Sequence, residues 1–410
     1  MSFTPTRLFG AGIAVIALHV LDDNYVHPQA GTSAGDHLVS GLVPLAVLAV
    51  AVWAYPRLRG LWRGALALAF GMLAIAAGSE GFHYAREVGP SGDDFTGLLC
   101  LPAGLLLLGL GADTLWRTRR TEGSLWWRYP RRALLAVAAF VPAVLVATVG
   151  FGYGTVHSGR AVVPVDHLGV AHEDVRFETA DGLELEGWYI PSRNGAAVIA
   201  FPSRNGPQRQ ARMLARHGYG VLLFDRRGEG ASEGEPNAWG WGGDADVKAA
   251  AAYLRRRPDV DPDRIGGIGL SVGGEMMIET AAETDDLNAV VSEGAGSRSY
   301  YEERDQQQRG MSAVLGTLAS VTKTASIAVF SNQTPPDGLK DLAARVDEPL
   351  LLIAAPNSGH GEELNRGYAR AAADAATLWE LPESGHTGGL QARPQEYEQR
   401  VVGFFDEALR

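Results

Sequence analysis

The sequence predicts an α/β domain, a mostly parallel sheet with helices on both faces, preceded by an all-α bundle of membrane-spanning helices. Three observations carry this. Five apolar stretches crowd the first 153 residues. From residue 175 onward, short apolar strands alternate with helical segments, the pattern of a parallel sheet covered on both faces. A glycine-rich turn at 266–274 sits between one such strand and one such helix. The expected divisions are a five-span domain at 1–153, a linker at 154–174 and the α/β domain at 175–410.

Composition narrows the classes. With 410 residues, 46% hydrophobic and 20% charged, the chain is neither disordered nor collagen-like. The net charge of -11 is unevenly spread: +2 up to Tyr153 and -13 beyond it. An acidic second half lacks the clustered cations that nucleic acid requires. Cys100 is the only cysteine, so no disulfide within the chain and no Cys-rich metal site can form. Three Lys (Lys248, Lys323, Lys340) stand against 33 Arg, a usage suggestive of a GC-rich bacterium.

The apolar stretches run 8–21, 38–55, 64–78, 95–112 and 133–153. A span needs about 20 apolar residues. The second, fourth and fifth are long enough, and the first and third must recruit flanking residues. A cleaved signal peptide is the rival reading of the first, but no clear small-residue cleavage site follows it. The fifth carries no charge in 21 residues. Arg57, Arg59 and Arg63 fall in one loop, and Arg117, Arg119, Arg120, Arg128, Arg131 and Arg132 in another, while the alternate loops are acidic. Basic loops stay cytoplasmic, which places the N-terminus inside and everything after Tyr153 outside. The outer loops gather His19, Asp22, Asp23, His27, Asp36, His37, Glu80, His83 and Glu87. Glu80, His83 and Glu87 are spaced to share a helix face, yet no tight ligand motif appears, and the expectation is no metal site.

In the second half, strands are expected at 175–179, 183–190, 196–201, 220–225, 264–270, 289–292, 349–355 and 376–381. Asp181-Gly182 marks an entry hairpin, so the sheet is mixed at one edge. Helices are expected at 208–217, 244–257, 273–283, 362–373 and 391–409. The sharpest feature is Gly269-Leu270-Ser271-Val272-Gly273, a Gly-x-Ser-x-Gly between strand and helix. That context suits a nucleophile on a strained turn, with the following helix aiming N–H groups at an oxyanion. A serine nucleophile needs a base. His386, in the loop after the last strand, is the best candidate, and His360 is a rival one strand earlier. A carboxylate must orient the base. Glu362 is preferred, Glu293 at the end of strand 289–292 is second, and Glu363 third.

The order Ser271, acid, His386 on this scaffold resembles the α/β-hydrolase family, over roughly 175–410. The turn Asp225-Arg226-Arg227-Gly228-Glu229-Gly230 looks like the Asp-x-Arg-Gly-x-Gly element of many members. Within the family the chain is similar to the serine aminopeptidase and dienelactone-hydrolase-like bacterial branches. The resemblance implies cleavage of an ester, thioester or amide through an acyl-enzyme, with no cofactor. One departure stands out. Family members usually carry His-Gly after the third strand, where an N–H completes the oxyanion hole; here the strand runs into Phe201-Pro202-Ser203-Arg204. Proline has no N–H to give. Ser203 or Arg204 is therefore expected to join Val272 as an oxyanion donor.

The family places its lid at 297–345, and the apolar part, 311–330, is expected to be an amphipathic lid or pocket wall. Its Ser and Thr content makes it a poor span, and a crossing there would separate Ser271 from His386. The chain is thus expected to be a membrane-anchored serine hydrolase acting outside the cytoplasm on a small or lipid-like acyl substrate. Acyl transfer at the membrane surface, and an inactive binding or sensor domain, are the alternatives.

Overall fold

The computed structural model describes residues 4–28, 32–87, 92–118, 130, 144–156, 168–305 and 311–409. The chain divides into two compact units, Met1–Gly159 with Gln307–Gln333, and Arg160–Gln306 with Thr334–Arg410.

The first unit is helical: α1 (Pro5–Leu21), α2 (Leu38–Ala54), α3 (Gly60–Glu87), α4 (Asp94–Thr118) and α5 (Val144–Val156). The short third stretch does recruit its flanks, since α3 runs 28 residues. What lets α3 and α4 pack closely is a seven-residue glycine repeat on each. Gly64, Gly71 and Gly78 face α4, and Gly104 and Gly111 face back. A Cβ at Gly104 would lie 2.9 Å from the Gly71 carbonyl, and one at Gly111 2.9 Å from the Gly64 carbonyl. Small residues allow such backbone approach where no hydrophobic drive separates helix from lipid. Phe9 stacks on Tyr55 at 3.9 Å, and with Ile13, Phe70 and Leu107 they fill the core of this unit. Arg119, Arg120, Arg128, Arg131 and Arg132, with most of the stretch 133–153, lie outside the described residues.

The second unit is built on an eight-stranded sheet of order β1-β2-β4-β3-β5-β6-β7-β8. Its strands are β1 (Glu173–Glu178), β2 (Glu184–Ile190), β3 (Ala197–Phe201), β4 (Gly220–Phe224), β5 (Ile265–Leu270), β6 (Ala289–Glu293), β7 (Leu350–Ala354) and β8 (Ala376–Glu380). β1 and β2 pair antiparallel, as does β2 with β4, and the rest are parallel. The central strands read as unbroken apolar runs because both faces are covered. One face packs α7 (Asp244–Arg255), α8 (Val272–Glu283), α11 (Leu339–Ala343) and α12 (Asn365–Ala372). The other packs α6 (Gln208–Arg216) and α14 (Pro394–Ala408). The expected helix at 391–409 is split by Pro394, which ends the short α13 (Gly389–Ala392) and opens α14. The end of the expected linker is part of the fold, since Leu168 is fully buried and β1 begins at Glu173.

The segment expected to be a lid behaves differently. After α9 (Tyr300–Asp305), helix α10 (Met311–Ser331) belongs to the helical unit. Its stretch Ala313–Ser331 is long and apolar enough to cross a membrane, like α1 to α4. The hydroxyl content that argued against this is harmless, because Thr317, Ser326 and Ser331 donate to the carbonyls four residues earlier. Hydroxyls satisfied within the helix carry little cost in an apolar medium.

Candidate active site

β5 delivers Ser271 to the site, and the turn that follows is tight. Ser271 sits at φ 54°, ψ −125°, a conformation costly for a residue with a side chain. Two neighbouring glycines permit it. A Cβ on Gly269 would lie 2.3 Å from the Gly273 carbonyl carbon, and one on Gly273 would lie 2.8 Å from the Phe201 carbonyl oxygen. The Ser271 N–H donates to the Glu293 carbonyl at 2.8 Å, which ties the turn to the end of β6. α8 begins at Val272, directly after Ser271, and the Gly274 N–H donates to the Ser271 carbonyl at 2.9 Å.

His386 reaches the serine from the loop after β8. Its Nε2 lies 2.9 Å from Ser271 Oγ, and its Nδ1 lies 2.8 Å from Glu362 Oε1. Glu362 opens a short 3-10 turn after β7 and is 1% exposed. Burial works against its charge, but the hydrogen bond from His386, the Ala355 N–H at 2.6 Å and the Ser358 hydroxyl at 2.9 Å hold its carboxyl below the ordinary range. The structure therefore brings three of the expected residues into one hydrogen-bonded row.

The other candidates fall elsewhere. Glu363 is exposed. Glu293 is buried and does not hold His386; it accepts the Gly389 N–H at 2.8 Å and the Tyr397 hydroxyl at 2.6 Å, clamping the start of α13. Burial raises its carboxyl, and the two donors offset this only in part. His360, the rival base, stacks its ring on His386 at 4.4 Å and 16°, with Nδ1 against the Ser358 carbonyl. That platform for the base was not foreseen, because ring stacking leaves no spacing signal.

The two expected oxyanion donors after β3 also separate. The Arg204 N–H is committed to Asp225 Oδ1 at 3.0 Å, and its guanidinium is paired with Oδ2 at 2.7 Å. Arg204 is corrected as a donor: its N–H is spent on a buried carboxylate, leaving Ser203 as the candidate beside Val272. Asp225 opens the Asp-x-Arg-Gly-x-Gly element, so this turn braces the loop after β3. Arg227 of the same element pairs with the buried Asp246 at 2.8 Å.

The outer-loop residues of the helical unit pair among themselves. Asp22 meets His27 at 2.8 Å and accepts the Thr96 hydroxyl at 2.6 Å, and His37 meets Thr32 at 2.8 Å. Glu80 accepts the Tyr153 hydroxyl at 3.1 Å. The side chains of His83 and Glu87 lie outside the described part of the structure.

Comparison with known proteins identifies the family and the fold. Residues 141–381 match the X-Pro dipeptidyl-peptidase (S15) family. An uncharacterised protein of Mycobacterium tuberculosis is 38% identical over 229 residues, 51% of this chain and 77% of the relative. A polyketide transferase of a Penicillium species is 37% identical over 122 residues, 27% of this chain and 40% of its own. A thiohydrolase of Aspergillus aculeatus is 31% identical over 134 residues, 30% of this chain and 41% of its own. Among solved structures, an esterase of Pyrococcus furiosus superposes with a TM-score of 0.50 at 24% identity, covering 62% of this chain and 98% of the esterase. The family match spans β1 to β8 and the serine turn, and on that extent the chain belongs to the S15 peptidase family of α/β-hydrolases.

Proposed function

We propose that this hydrolase is a membrane-anchored serine enzyme that cleaves an ester, thioester or amide through an acyl-enzyme. The observation that carries the reading is the row Ser271, His386, Glu362, with separations of 2.9 and 2.8 Å. Ser271 Oγ attacks the acyl carbon while His386 Nε2 takes its proton. Glu362 holds Nδ1–H, keeps the tautomer that leaves Nε2 free to accept, and stabilises the imidazolium. The developing oxyanion is met by the N–H groups of Val272 and Ser203. His386 returns the proton to the leaving group as the carbon–heteroatom bond breaks. Water, deprotonated by the same nitrogen, then releases the acid and restores Ser271.

Anchoring rests on the long apolar helices of the first unit. The arginine-rich loops, alternating with acidic ones and so sharing one side, orient them, with the catalytic unit outside the cytoplasm. The substrate is a small or lipid-like acyl compound. Acyl transfer to an alcohol is the second reading, favoured by the similarity to a polyketide transferase, and it shares every step up to the acyl-enzyme. The test is turnover of ester, thioester and aminoacyl-amide panels by the purified protein beside Ser271→Ala. Turnover of at least one class, lost by several orders of magnitude in the variant, is the expected result. Equal turnover by both proteins refutes the assignment.

A further inference from the structure

Helix α10 poses a topological problem. It lies between β6 and β7, which are neighbours in one parallel sheet, with Val290 opposite Leu350. The points where the chain leaves and re-enters the second unit are pinned together. Glu302, 4% exposed, accepts the Leu339 N–H at 2.7 Å through one oxygen. Its other oxygen accepts the Ser299 N–H and hydroxyl, each at 3.0 Å. A Cβ on Gly338 would lie 3.2 Å from the Tyr301 Cβ. Both flanks of α10 therefore lie on the same side of any membrane, and a single helix cannot cross between them.

The helix is nevertheless built into the membrane-type unit. Phe330 meets the Tyr153 ring edge-on at 5.3 Å, Ser326 packs where Gly152 has no side chain, and the Asn332 amide donates to the Asp36 carbonyl. Val321, Ala325 and Val329 share one apolar cavity of about 480 Å³ with Val43 and Val47 of α2, so the C-terminal half of α10 runs at the depth of the first half of α2. Continued towards the N-terminus, the same stripe of α10 leaves Val314 and Leu318 exposed beyond the cavity. α2 likewise exposes apolar side chains outside the cavity, at Val39, Leu42 and Val50. Two exposed apolar faces on helices of this length and depth call for the same cover, and for α2 that cover is lipid hydrocarbon.

We propose that α10 enters the bilayer from the face on which the catalytic unit lies and leaves by that same face, with Val314 and Leu318 against lipid. This rests on the membrane-anchored reading. Chain length supports it independently. The 21 residues of α10 measure about 32 Å, enough to span a hydrocarbon core of about 30 Å. The connection from Asp305 to Met311 reaches only about 20 Å even when fully extended, too short to carry the chain to the far face first. The helix is therefore inclined, its N-terminal end part-way into the core and its C-terminal end at the level of Asp36. It inserts between the strands that lead to Glu293 and Glu362, and so fastens the catalytic unit to the bilayer at a second place.

The test uses the full chain in sealed vesicles of phosphatidylcholine and phosphatidylglycerol, with single cysteines in a Cys100→Ala background. Spin labels at Val314→Cys and Leu318→Cys are compared with Val50→Cys on α2 and with Tyr301→Cys and Asp337→Cys at the flanks. The two α10 sites are expected to collide with lipid-dissolved oxygen at least threefold more than with a water-soluble nickel chelate, as at Val50, and the flanks the reverse. An impermeant maleimide is expected to reach both flanks from one and the same face. Labelling of the flanks from opposite faces overturns the proposal. So does nickel access at the α10 sites while Val50 stays in lipid. Nickel access at Val50 as well overturns the anchored reading together with the proposal, which separates the two failures.

Discussion

Exchanging Glu362 for Gln changes one atom and asks whether the carboxylate sets the tautomer of His386. Oε2 accepts the Ala355 N–H at 2.6 Å, and Oε1 accepts from both Ser358 Oγ, at 2.9 Å, and His386 Nδ1, at 2.8 Å. A glutamine at this position has one acceptor and one donor end. The Ala355 N–H requires the acceptor, so the amide NH₂ turns toward His386 and donates to Nδ1. The proton then sits on Nε2, which presents a donor to Ser271 Oγ and can no longer take its proton. A wrong-tautomer substitution of this kind costs about 10⁴ in kcat, or roughly 5.5 kcal/mol of barrier. Glu293→Gln is the matched control. Its acceptor end keeps the Gly389 N–H while its amide meets the Tyr397 hydroxyl, which can turn to accept, so the loss is held to about tenfold. The assay is kcat and kcat/KM on a p-nitrophenyl ester with active-site titration, so that unfolded protein is not counted. A larger loss in Glu293→Gln than in Glu362→Gln would move the orienting acid to the end of β6.

Further outcomes follow from other contacts. Glu275, buried on α8 beside Arg298, has its carboxyl pushed up to about 7, chiefly by burial. A raised carboxyl keeps its proton in the fold where the unfolded chain has lost it, so stability falls as pH rises from about 4.5 to about 7, by on the order of 3 kcal/mol. Thermal unfolding at pH 5 and pH 8 is expected to show a steeper fall in the wild type than in Glu275→Gln, and parallel curves would refute the shift. Arg204→Met leaves Asp225, a buried carboxylate 1% exposed, without its partner, and is expected to cost about 3–5 kcal/mol of stability by denaturant titration. Full stability would show that the pair is dispensable. A phosphatase reporter fused after Arg160 is expected to be active, since the arginine-rich loops retain the other side. A dark reporter would invert the orientation.

Much of the catalytic unit was readable because its signals are local. Each strand is a short apolar run bounded by turn residues, and the serine turn is recognisable from two glycines flanking Ser271 between strand and helix. His386 followed from its place after the last strand. The orienting acid was harder, since Glu293, Glu362 and Glu363 all stand just beyond strand ends and differ only in where the side chain points. Arg204 went astray because its N–H meets Asp225, a partner 21 residues away on another strand. The seven-residue glycine repeats of α3 and α4 were present in the sequence but were masked by an apolar background in which glycine is common. For α10 the hydroxyl count and the topology suggested an amphipathic lid or pocket wall, and the back-bonding of Thr317, Ser326 and Ser331 lowers the cost of those hydroxyls.

The central claim is that Ser271 is an activated nucleophile, and its direct test is covalent labelling by a fluorophosphonate with the modified peptide identified by mass spectrometry. The expected result is a single phosphonylated site at Ser271, labelling lost in Ser271→Ala, and labelling slowed by several orders of magnitude in His386→Ala. An unmodified Ser271 in folded protein, or labelling that persists at full rate without His386, would contradict it.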